Sequence, residues 1–148
     1  MPTLFLMCGL PGSGKTTLAR QLECEQSALR LTPDEWIAAL SFDPYDESKR
    51  AAIEAIQWQV AARALELGSN VVLDFGFWSR RERDDFRARA ALLGARTEVR
   101  FLAVDRDELL ARLERRNAEL PPGTFRVNEA QLDEFFGMFE VPAPEEVV

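Results

Sequence analysis

Histidine is absent from all 148 residues. Without an imidazole the chain cannot assemble a Ser-His-Asp or Cys-His nucleophile system, nor a His-bearing zinc site. Its chemistry must therefore use carboxylates, arginine, lysine, hydroxyls or a hard metal ion. Cysteine is scarce: Cys8 and Cys24 are too few for a disulfide framework and lack C-x-x-C spacing, which suits a reducing cytoplasm. Long apolar runs are missing too. The stretch Met1 to Leu10 has no basic leader and falls short of the roughly 20 residues a membrane span needs, so it reads as a buried strand rather than a signal peptide, with no membrane partner expected. Positive charge is in the minority, 18 Lys and Arg against 25 Asp and Glu for a net of -7. The overall field repels polyanions and disfavours nucleic acid as a partner, so a phosphate ligand needs a local basic site.

What is present suffices for one core. With 47% apolar residues and no linker longer than Leu120 to Gly123 or Pro142 to Pro144, the expectation is a single domain over residues 1–148. The apolar runs Thr3 to Cys8, Asn70 to Leu73 and Glu98 to Val104, with a short one at Ala28 to Leu31, read as strands covered on both faces. Helix starts punctuate the intervals. Thr32-Pro33-Asp34-Glu35 offers a capping hydroxyl, Pro at the first helical position and an acid at the third. Ser79 to Glu82, Asp105 to Glu108 and Asn128 to Gln131 follow the same logic. A longer helix from about Asp46 to Leu67 is closed by Gly68. This alternation predicts an α/β fold in three layers, a parallel sheet flanked by helices.

Gly9-Leu10-Pro11-Gly12-Ser13-Gly14-Lys15-Thr16 matches G-x-x-x-x-G-K-[ST] and lies between a buried strand and a helix, where that motif must lie. Glycines let the backbone wrap a phosphate, so that N–H groups from about Gly12 to Thr16 and Thr17 converge on its oxygens at a helix N-terminus. Lys15 supplies full charge for the β- and γ-phosphates of a nucleoside triphosphate, and Thr16 offers a hydroxyl to Mg²⁺. Lys15 and Lys49 are the only lysines, against sixteen arginines, which marks the lysine in this loop as required. Asp74, after Val71-Val72-Leu73, has the form of a second Mg²⁺ partner facing the same crevice.

Asp34 admits two readings: an acid complementing the helix dipole, or a carboxylate that takes the proton of an acceptor hydroxyl. Arg83, Arg87 and Arg89 alternate with acids as a solvated helix face does. Arg112, Arg115 and Arg116 instead precede a Pro/Gly turn over Asn117 to Thr124, and so belong to a short helical lid over about residues 106–127 that could bring an arginine to the moving phosphoryl group. Phe75, Phe77, Trp78 and Trp36 either form buried wall or line an acceptor site with a flat or apolar partner. Trp58, Phe135, Phe136 and Phe139 fall at helical spacings expected of core.

The segments GLPGSGKTT, TPDEW, VVLDFGFWSRRERDDF and LLARLERRN together resemble the small phosphate-loop kinases of AAA-type ATPase-like description, related to polynucleotide 5′-hydroxyl kinase, chloramphenicol phosphotransferase and zeta toxins. The resemblance runs from about Leu4 to Glu140. It implies ATP and Mg²⁺ as cofactors, Asp34 as the activator of an acceptor hydroxyl, a lid arginine among Arg112 to Arg116, and Arg80 and Arg83 as contacts to the acceptor. The chain departs from these relatives in its last strand: only Glu145 to Val148 remain to form a fifth, which should be short, frayed or missing. Its length leaves no room for the helical lid domain of AAA motors, so no hexameric motor is expected.

Three functions compete on the sequence. The first is an ATP-dependent kinase acting on a hydroxyl of a small-molecule acceptor. The second is a nucleotide-dependent switch acting through a protein partner, for which the acidic stretch after Asn128 offers a surface. The third is a polynucleotide 5′-hydroxyl kinase, against which the net charge weighs. The motifs name neither the acceptor nor the base of the triphosphate.

Overall fold

The computed structural model describes residues 1–121, 124 and 126–147. Four strands, β1 (Thr3–Cys8), β2 (Ala28–Leu31), β3 (Asn70–Gly76) and β4 (Arg96–Phe101), form one parallel sheet in the order β2-β3-β1-β4. Every residue of β1 is buried, because its two faces serve two layers. Leu4, Leu6 and Cys8 join Ala61, Leu65, Phe86 and Ala90 of the helices α3 (Glu47–Glu66) and α4 (Arg80–Leu92). Phe5 and Met7 point the other way, onto Ala19 and Leu22 of α1 (Lys15–Glu25). The period-two alternation of a strand thus fixes the three-layer α/β architecture that the sequence predicts.

Two strands differ in their bounds from the sequence reading. β3 runs on through Asp74 to Gly76, since pairing with β1 continues after a register slip: Leu6 faces Leu73 but Cys8 faces Gly76. The extra residue falls beside Asp74. β4 begins at Arg96 and ends at Phe101, two residues earlier at the start than the apolar run suggested, because Thr3 and Leu4 of β1 pair with Arg96 and Thr97.

Most caps are as read. Ser79, Asp105 and Asn128 accept from the backbone N–H groups of Glu82, Glu108 and Gln131 at the starts of α4, α5 (Arg106–Glu119) and α6 (Glu129–Met138). Thr32 is the exception: α2 (Pro33–Ala39) has Pro at its first turn but no side-chain cap, and the hydroxyl of Thr32 turns into the sheet instead. α5 and α6 pack through Leu109, Leu113 and Leu132 onto Leu10 of the glycine-rich loop. The Pro/Gly turn read between these helices falls in part on Pro122 and Gly123, which lie outside the described residues. Of the expected fifth strand, Val148 lies outside the described residues; among the described ones Val147 bridges Val99 in parallel, beyond β4.

Candidate active site

The loop Gly9 to Thr16 leaves the carboxyl end of β1 in a geometry only glycine permits at several points. Gly12 and Gly14 have φ of 84° and 93°, in the left-handed region that a Cβ disfavours. Gly14 is also the residue that opens α1, and no side chain caps that helix, so its first N–H groups stay available to an anion. Gly9 is held by its own N–H, which donates to Gly76 O at 3.0 Å. A Cβ at Gly9 would stand 2.6 Å from Ser13 Oγ, while Ser13 is buried and its hydroxyl has no hydrogen-bond partner among the described residues. Lys15 is half-buried, and no carboxylate among the described residues lies within ion-pair distance of its ammonium. Thr17, the third residue of α1, is exposed.

Asp74 is 4% exposed. Its Oδ2 accepts from Thr16 Oγ1 at 2.7 Å and from Thr32 Oγ1 at 3.2 Å, whereas its Oδ1 has no partner among the described residues. A buried carboxylate oxygen left open beside a hydroxyl is the hard oxygen donor set of Mg²⁺, which takes one or two protein oxygens and fills its remaining positions with water and phosphate. Among the described residues no three acidic or thiol groups cluster as a dedicated metal cage, in keeping with that sparse mode of binding. Thr16 and Asp74 therefore fit the metal of a bound triphosphate.

A cavity of about 570 Å³ opens beside these groups. Lys15, Asp34, Asp74, Phe77 and Trp78 all line it. Asp34 is held there by an ion pair with Arg50, one turn into α3. The aromatic pair is fixed from behind: Trp78 Nε1 donates to Gly9 O at 3.3 Å, and Glu140 N donates to Trp78 O at 2.7 Å. Phe77 sits at φ 44°, an uncommon conformation for a side chain of this bulk. Arg83 Nη1 donates to its carbonyl at 2.8 Å.

That bond corrects one expectation. Arg83 is wholly buried, ion-paired to Glu146 and bonded to Phe77, so it shapes the cavity wall from the core side and reaches no acceptor. Arg80 is exposed and paired with Glu145 and Asp84, outside the lining. Trp36 packs against the core cluster rather than into the cavity. The three lid arginines separate: Arg112 Nη1 approaches the carbonyls of Gly12 and Ser13 at 3.4 Å each, Arg116 is half-buried with Asp34 acting on its charge, and Arg115 is exposed.

The cavity also holds residues that the sequence reading left out. Arg50 and Glu54 lie four apart on α3, and with Glu47 they present one face, a spacing visible in the sequence but indistinguishable there from an exposed charged stripe. Glu82 reads in the sequence as a cap partner and as one acid of a solvated helix face. Phe135 was assigned to the core, yet it lines the cavity and packs on Trp78 with ring centroids 4.9 Å apart.

The family model AAA_33, an AAA domain, matches residues 4–142. The chain belongs to this AAA domain family. No curated protein matches it significantly. Among solved structures this AAA-domain chain is similar to one from the Pnkp1/Rnl/Hen1 RNA repair complex, with 22% identity, a TM-score of 0.78 and 93% of this chain covered. It spans only 43% of that neighbour's length. It is also similar to Kti12 of Chaetomium thermophilum in complex with ADP-AlF3, at 19% identity and TM-score 0.73, covering 96% of this chain and 82% of that one. A gluconokinase from Sinorhizobium meliloti 1021 aligns at 18% identity and TM-score 0.69, covering 99% and 81%. The fold is that of a P-loop kinase. No helix among the described residues is long and apolar enough to cross a membrane.

Proposed function

We propose that the chain is a phosphotransferase that moves the γ-phosphate of ATP, bound with Mg²⁺, to a hydroxyl of a small molecule held in the cavity. One observation carries this reading: Lys15, Asp74 and Asp34 line the same cavity of about 570 Å³, which extends past the phosphate-binding groups to Asp34 and the aromatic wall. That volume is in the range of small-molecule sites.

Mg²⁺ held by Thr16 and Asp74 would neutralise charge on the triphosphate. The chain's own groups do the rest. The backbone N–H groups of Gly12 to Thr16 hold the β-phosphate, and Lys15 bridges toward the γ-phosphate. Asp34, oriented by Arg50, takes the proton of the acceptor hydroxyl as that oxygen forms its bond to the γ-phosphorus. The bond from the γ-phosphorus to the bridging oxygen breaks, and ADP leaves with the electron pair. Arg112 of α5, against the loop, and Arg116 near Asp34 complete a ring of positive charge around the transferred group.

The test is transfer of labelled γ-phosphate from Mg·ATP to a panel of aminoglycosides, phenicols, nucleosides, nucleotide sugars and 5′-hydroxyl oligonucleotides, with Lys15→Ala as blank. A labelled product absent from the blank supports the reading. Slow release of free phosphate that no acceptor changes, with no labelled product, counts against it and favours a switch.

A further inference from the structure

Besides the groups at the reacting end, the cavity is lined by four glutamates, Glu47 and Glu54 of α3, Glu82 of α4 and Glu134 of α6. Lys15 and Arg50 are the cations among its lining residues. Both are committed elsewhere: Arg50 pairs with Asp34 and comes no nearer to Glu54 than 3.9 Å, and Lys15 serves the phosphates. No lysine or arginine among the described residues lies within ion-pair distance of Glu47, Glu82 or Glu134. Phe75, Phe77, Trp78 and Phe135 line the same cavity.

Glu54 and Glu82 are the half-buried members of this set, Glu47 and Glu134 being exposed, and burial disfavours the charged form of a carboxyl group. Burial, reinforced by the charges of Glu82 and Asp34, pushes Glu54 up to about 7 against the pull of Arg50, and burial raises Glu82 as well. A bound cation relieves this cost, and aromatic faces beside it add attraction of their own. The buried Oδ1 of Asp74, in the same lining and without a hydrogen-bond partner among the described residues, marks the space as one that ligands complete, the metal at Asp74 and the acceptor beside it.

We infer that the acceptor is a cation, an alcohol bearing a protonated amine on a flat or apolar body, with its ammonium by Glu54 and Glu82 and its body against the aromatic wall. The inference rests on the phosphotransferase reading. It separates acceptors by charge: a sugar acid or a polynucleotide end would carry negative charge into a space already rich in it, and is turned away.

Three probes share a phenol ring and differ in charge at the far end: tyramine is cationic, N-acetyltyramine neutral and 4-hydroxyphenylacetate anionic. Their binding to the wild type is measured by calorimetry with Mg·ADP present, above neutral pH so that Glu54 is ionised. Tyramine should bind about tenfold more tightly than N-acetyltyramine, the size of one partly screened charge contact, and 4-hydroxyphenylacetate more weakly than either. The preference should vanish in Glu54→Gln/Glu82→Gln. Equal or reversed order in the wild type, no tighter binding of tyramine, or a preference that survives in the double variant overturns the inference. Mg·ADP affinity is read in the same titrations. Its absence would remove the phosphotransferase reading, while the charge order of the probes stays measurable without nucleotide.

Discussion

Arg83 Nε donates to Glu146 Oε1 at 2.9 Å, with the two side chains 0% and 2% exposed. The pair joins α4 to the short turn at Pro144–Glu146 and, through Arg83, to the carbonyl of Phe77 in the cavity wall. Glu146 also accepts from Ala143 N at 2.7 Å and from Arg87 at 3.4 Å, so its carboxylate is fully engaged. Removing one partner of such a pair strands a charge in the core.

Glu146→Gln should therefore destabilise the protein by about 3 kcal/mol or more, read as a shift in the denaturant midpoint at constant slope. The hydrogen bond from Arg83 holds the Glu146 carboxyl down at about 2. Its contribution is complete above its ordinary value of 4.5 and lost as pH falls from there toward 2, because the unfolded chain then takes up the proton first. The variant should lack that part of the acid sensitivity. Equal midpoints for wild type and variant at neutral pH would show that the pair holds nothing together.

The close approach of Gly9 to Ser13 makes a reversible prediction about nucleotide binding. Gly9→Ala places a methyl group against Ser13 Oγ and should weaken Mg·ATP by about tenfold to a hundredfold, the usual cost of overpacking. Ser13→Gly in the same chain removes the obstructing side chain and should recover most of the loss, as seen by fluorescent-nucleotide titration. No recovery would mean that the substituted backbone, rather than the contact, is at fault.

Asp34 and the arginines of α5 should separate by kinetics. Asp34→Asn should lower kcat by about 10² to 10⁴ with Mg·ATP affinity kept, as expected of a lost general base. Arg112→Ala and Arg116→Ala should each slow transfer, by up to about 10³ where the guanidinium meets the moving phosphoryl group. Arg115→Ala should match the wild type, since that side chain is exposed. A slow Arg115 variant beside a normal Arg116 variant would reverse the assignment.

Glu54 gives a pH dependence whose sign is fixed by its surroundings. Burial, with Glu82 from α4 and Asp34 from α2, raises its pKa against the pull of Arg50 on its own helix, leaving it at about 7. For a cationic acceptor kcat/KM should climb with pH through about 7 and level off above it, because the ionised carboxylate is the form that binds. Glu54→Gln should flatten that limb. Stability moves the opposite way: between 4.5 and 7 the unfolded chain releases this proton first, so the group makes folding less favourable as pH rises through that window.

The loop and the sheet were legible because their signals are local. Glycines at fixed offsets, a buried run before them and a helix after them admit few alternatives, and period-two burial in Thr3–Cys8 follows from the same run. Asp74 was legible for the same reason. What escaped depends on packing between distant segments. Arg83 carries the same letter as its solvated neighbours, and only the return of Glu146, 63 residues later, turns it into a core residue. Thr32 reads as a cap in any sequence, yet Arg30 and Asp74 draw its hydroxyl away from the helix. Phe135 reads as core because an aromatic in a cavity wall has the same helical spacing as one packed inside.

One carboxylate oxygen listens to two threonines. Thr16 and Thr32 both donate to Oδ2 of Asp74, one from the helix that receives the phosphates, the other two residues before Asp34. Whatever draws the Thr16 hydroxyl toward a metal leaves Thr32, at the start of α2, as the remaining donor to that oxygen among the described residues. On the proposed reading this links nucleotide loading to the helix that carries Asp34, and nucleotide before acceptor is the expected order of binding.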